Sequence, residues 1–162
     1  MYKVFFLFSL FLTPWTSAIG QFNELIQNRQ VAYYIGEEES KYENLVKAYN
    51  TMLFAVCDAD MDKSYDLWIS LMKDIEVYAE SIHYDLKGVK LWMNVFWDES
   101  GKIDYIFFYP KPNSKNLNYD VVKDMLNAFA HQYTKQSLPY KLKYSHYGSS
   151  SFPVFGRVAN GN

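Results

Sequence analysis

Four aspartates, Asp58, Asp60, Asp62 and Asp66, lie close enough together to invite a calcium loop. An EF-hand needs oxygen ligands at its first, third and fifth positions, glycine at the sixth and a bidentate glutamate at the twelfth. Counted from Asp58, the sixth position is Lys63 and the twelfth is Ile69. Lysine puts a cation where the loop must turn, and isoleucine cannot ligate. The acids are better read as a polar link whose last members suit the positive end of a following helix. No metal site is expected. Cys57, the single cysteine, could in principle meet His83, His131 or His146 as nucleophile and base. Cys57, however, closes an apolar helical face, where a small hydrophobe belongs. His131 and His146 have no acid nearby in sequence. No glycine-rich phosphate loop, CxxC, HExxH or GxSxG is present, so no catalytic residue and no cofactor are assigned.

The aromatic content is the stronger signal. Phe, Trp and Tyr make up 19% of the chain, and 15 of these residues are tyrosines. Tyrosine packs as a hydrophobe and keeps a polar tip, which suits cores with wet edges or adhesive surfaces. On a rigid sheet, exposed Trp and Tyr stack on sugar rings. Trp92, Trp97, Tyr105 and Tyr109 are the candidates for such a glycan-binding module, set against the commoner reading of packing within the sheet.

The elements that would position these residues follow from periodicity. Residues 22–34 read as a short helix. Ser40 and Glu43 form a capping-box pattern, followed by Tyr42, Leu45, Val46, Tyr49, Met52, Leu53 and Val56 at helical steps to about Cys57. A second helix runs from about 62 to 84, carrying Tyr65, Trp68, Ile69, Met72, Ile75, Ala79 and Ile82. The short link predicts an antiparallel helix pair. From Val89 the period changes to two: Val89, Leu91, Met93, Val95 and Trp97, then Ile103, Tyr105, Phe107 and Tyr109, are two strands joined at Asp98–Lys102 with Gly101 in the turn. Trp92, Phe96, Ile106 and Phe108 make the opposite face too apolar for open water, so the sheet should be covered on both sides. Asn118 caps a further helix to about Lys135. Tyr140–Tyr147 alternates as a strand, Gly148–Ser151 is a loop, and 152–158 is a last strand. The expected class is α+β, with N-terminal helices packed on a small, mostly antiparallel sheet in ββαβ(β) order.

Lys3, the apolar run Val4–Leu12, Pro14 and the small residues Ser17 to Gly20 have the order of a secretory signal. The run is too short to span a bilayer. Cleavage after Gly20 is favoured over cleavage after Ala18, with a retained anchor as the alternative. Residues 1–20 are thus expected to be a signal peptide and the mature protein to be exported, periplasmic or secreted, without a transmembrane segment. Residues 21–87 form a helical segment and 88–162 a strand-rich one. One cysteine allows no internal disulfide. No Asp or Glu follows Asp124, whereas Lys135, Lys141, Lys143 and Arg157 do. Four scattered cations fall short of a nucleic-acid footprint, but would suit an acidic partner or guard a strand edge.

Val95-Phe-Trp-Asp-Glu-Ser-Gly-Lys-Ile-Asp104, the helix from Asn118 and the closing Phe152-Pro-Val-Phe155 together resemble the C-terminal domain of TonB-type energy transducers in their divergent, exported versions. The resemblance implies protein binding without catalysis, by pairing of a sheet edge with a segment of an envelope or outer-membrane protein. There is no Pro-rich spacer and no counterpart to residues 22–87, so only the binding fold carries over. The expected edge site comprises Tyr140, Lys141, Lys143, Tyr144, Phe152, Phe155 and Arg157. The glycan module is the alternative, and a hydrolase with a site assembled only in the fold is the third reading.

Overall fold

The computed structural model describes residues 29–135 and 138–155. Its elements are β1 (Ala32–Tyr34), α1 (Glu39–Ala48), β2 (Thr51–Met52), α2 (Leu53–Val56), α3 (Met61–Ser81), β3 (Lys90–Trp97), β4 (Ile103–Pro110), α4 (Tyr119–Gln132) and β5 (Tyr144–Ser151). The α+β class is as expected. The five strands make one mixed sheet in the order β1-β4-β3-β5-β2. β3 is antiparallel to both neighbours, while the short outer strands β1 and β2 run parallel to β4 and β5.

Period two in β3 sorts its side chains. Leu91, Met93, Val95 and Trp97 point to the inner face, into a core with Trp68, Met72 and Ile75 of α3 and Val122, Leu126 and Phe129 of α4. Phe96 points to the outer face, where it meets Phe107, Tyr33 and Tyr49, with Tyr42 and Leu45 of α1 packed on them. The hairpin turn forms where the sequence places it. Gly101 has φ +83°, and Asp98 Oδ1 accepts the N–H groups of Ser100 and Lys102 at 2.8 and 3.0 Å. Burial opposes the Asp98 charge, yet these hydrogen bonds outweigh it and hold the carboxyl below its usual range. Asn118 caps α4 by accepting the Asp120 N–H.

Several expectations are corrected. Ala32–Tyr34 is a strand, not the end of a helix, because it joins β4 in parallel register from Ile106 to Phe108. The helix expected to reach Cys57 stops at Ala48. Tyr49 is buried on the outer face and Leu53 on the inner one, which no straight helix allows. The chain changes faces through β2, beside β5. Consequently α1 and α3 lie on opposite faces and are not an antiparallel pair. The cap of α1 is Glu38, with no side-chain hydrogen bond, so the Ser40–Glu43 box does not form. The strand expected at 140–147 is shifted to 144–151, taking in the serines read as a loop. Residues 152–155 are not a strand; the Val154 N–H donates to the Glu76 carboxylate of α3 instead. The signal-peptide expectation and Arg157 lie outside the described residues. No described helix is long and apolar enough to cross a membrane.

Candidate functional site

Helix α1 covers only part of the outer face. It has no fully buried residue, and its cover lies over Phe96, Phe107 and Tyr33. Toward the Lys90 end of β3 the face is bare. Strand register places Trp92 opposite Tyr109 on one side and Ser149 on the other. Trp92, Tyr109 and Tyr147 are 37%, 47% and 54% exposed. Trp92 and Tyr147 stack with centroids 5.8 Å apart and planes only 12° from parallel. The Lys111 ammonium sits 4.3 Å from the centroid of the Trp92 ring and donates to the Ser149 hydroxyl. Where the bare region meets α1, buried Asn94 donates to the Tyr42 hydroxyl at 3.3 Å. Its Oδ1 finds no partner among the described residues.

The four aromatics singled out from the sequence separate. Trp92 and Tyr109 come together on the bare face. Trp97 is buried on the inner face, stacked on Tyr144 at 5.1 Å, away from solvent. Tyr105 is half-buried under Arg29 and Lys41, at 4.8 and 5.1 Å. Tyr147, Lys111 and Ser149 were missed. The alternation Tyr144-Ser-His-Tyr147 was the available signal for Tyr147, but the following Gly148-Ser-Ser-Ser looked like a loop.

The expected edge site does not gather. Tyr144 is fully buried, and its hydroxyl donates to the Leu138 carbonyl at 2.8 Å. Phe152 is also buried, and Phe155 is exposed. Tyr140 is half-buried against the inner core. Lys141 is exposed and Lys143 half-buried, both before β5 begins, and the Lys143 ammonium lies 5.1 Å from the Tyr49 ring centroid.

The two sheet margins differ. At β1, Asn127 Oδ1 accepts from Val31 and Ala32, at 2.7 and 3.4 Å. The Tyr34 N–H goes to Glu37, and the Ala32 carbonyl to Gln30. Side chains thus close that margin. At β5 the Phe152 N–H donates to the Val89 carbonyl, so the even-numbered residues face β3 and Ser145, Tyr147 and Ser149 face outward. β2 pairs as far as Ser145, and the Trp68 indole takes the Ser149 carbonyl at 3.1 Å. Tyr147 between them keeps outward backbone groups that no strand among the described residues takes.

One cleft, of about 480 Å³, brings His131 alongside Asp98 and Asp104. Their polar atoms are engaged elsewhere. His131 Nε2 lies 2.7 Å from the Arg29 carbonyl, and Asp104 accepts from the Tyr49 hydroxyl at 2.6 Å. Burial and this bond to a carboxylate push the Tyr49 hydroxyl pKa far up. His146 packs on Trp68 at 4.7 Å. Cys57 is fully buried. Asp60 caps α3 through the Lys63 N–H, and Asp58 pairs with Lys63 at 3.5 Å. No cluster of three potential metal ligands occurs among the described residues. Compared with family models, curated proteins and solved structures, the chain matches none of them.

Proposed function

We propose that this is an exported, non-enzymatic binding domain that takes carbohydrate on the bare half of its outer sheet face. The observation that carries the reading is the near-parallel, exposed pair Trp92 and Tyr147, with Tyr109 beside them. Sugar rings present C–H faces that stack on aromatic planes, while their hydroxyls seek polar neighbours at the rim. Ser149 and the tyrosine hydroxyls supply that rim. Strands hold the rings, so little ordering entropy is lost on binding. Affinity electrophoresis against a panel of soluble polysaccharides tests it. Trp92→Ala and Tyr147→Ala should each weaken binding about tenfold or more, as loss of a central aromatic does elsewhere. Retention of wild-type affinity by both variants, or no binding across the panel, would sink the proposal.

A second reading is strand addition at Tyr147, favoured by its outward backbone groups. It would keep the kind of binding that the resemblance to TonB-type domains implies, at Tyr147 in place of Lys141 and Lys143. Tyr147→Pro removes the outward N–H and would abolish peptide pairing, whereas Trp92→Ala would leave it intact.

A further inference from the structure

Resting on the carbohydrate reading, we infer that the ligand is an acidic polysaccharide, one whose sugar rings carry carboxylates. The outer-face positions of the three central strands follow from the period of two. They are Lys90, Trp92, Asn94 and Phe96 on β3, Tyr105, Phe107, Tyr109 and Lys111 along β4 and just past its end, and the odd-numbered residues of β5. None of these is acidic, and both lysines stand at the bare end, away from Asp104, whose carboxylate meets outer-face Tyr49 beyond Phe96.

The chain as a whole carries net −2, so a bare end with two strand cations, three exposed rings and no strand acid runs against its overall balance. The ion pairs among the described residues engage Arg29, Lys63, Lys115, Lys123 and Lys135. Lys90 and Lys111 take part in none of them.

Lys111 is also placed for the task. Its ammonium is held over the face of Trp92 and against Ser149, so a sugar takes that face only as its own carboxylate draws the ammonium aside. A cation over an aromatic face keeps its charge available to an anion approaching from solvent. A sugar stacked on these rings would bring a ring carboxylate within reach of Lys111, with Lys90 two residues before Trp92 on the same strand. Neutral sugars would leave both charges unmatched.

Polygalacturonate and its fully methyl-esterified form share one sugar backbone and differ in charge. Alginate supplies a second uronate of different stereochemistry. The expected result is tighter binding of at least one uronate polymer than of the ester, weakening as salt is raised. Lys111→Gln should weaken uronate binding about two- to fivefold, in line with one partly exposed ion pair, and should narrow the gap to the ester. Lys141→Gln, which removes an equal charge elsewhere, should change nothing. Equal binding of charged and esterified polymer, unaffected by Lys111→Gln, overturns the acidic assignment and leaves the carbohydrate reading standing. Equal losses from Lys111→Gln and Lys141→Gln also overturn it, because net charge alone would then account for the effect. If no polymer binds, charged or neutral, both readings fall together.

Discussion

The ring of Trp68 occupies the space that a side chain on Gly148 would need. A Cβ at position 148 would stand 2.7 Å from the indole, and the same indole donates to the Ser149 carbonyl. Glycine here answers to a packing requirement and not to a turn. Gly148→Ala should therefore destabilise the fold by about 1–3 kcal/mol, the usual cost of overpacking. Urea unfolding would show the shift in midpoint, and a smaller residue at 68, in Trp68→Phe/Gly148→Ala, should recover part of the loss at position 148.

Asn127 latches the sheet's opposite margin through the N–H groups of Val31 and Ala32. Asn127→Ala leaves these N–H groups without their acceptor, at a cost of about 1–2 kcal/mol. Hydrogen exchange should report it locally: the amides of Val31 and Ala32 lose protection while those of β3 keep theirs.

His146 is held neutral by burial, which lowers its pKa from the ordinary 6.5. As pH falls through that ordinary value, the unfolded chain takes up the proton before the folded one. Stability from this residue is full above about 6.5 and declines as pH drops toward the folded value. The thermal midpoint of the wild type should fall between pH 7.5 and 5.5 more steeply than that of His146→Gln.

The hairpin, its glycine turn and helix α4 were legible because each carries its own local pattern: period two, positive φ, an Asn cap. Helix α3 was legible for the same reason. The break after Ala48 was not, because the helical stripe from Tyr42 to Val56 continues through it. Spacing shows that Tyr49 and Leu53 are both buried, but not that they are buried on different faces of a sheet. β1 was hidden because three residues are too few to show a period, and its place is fixed by β4, more than seventy residues later in the chain. The same limit split the aromatic candidates. Trp92 and Trp97 stand on opposite faces of one strand, and only the incomplete cover from α1 decides that the first is open. Tyr147 was obscured by the glycine and serines after it, which Trp68 and β3 hold in an extended strand.

The switch of faces at Thr51–Met52 has a structural corollary. The polypeptide loops around one rim of the sheet like a buckle, so the early segment grips both broad surfaces. A fragment starting at Gly88 would keep its hairpin and last helix, yet lose Tyr49 from one surface and Trp68, Met72 and Ile75 from the other in a single cut. The strand-rich portion, contiguous as it looks on paper, is not self-sufficient.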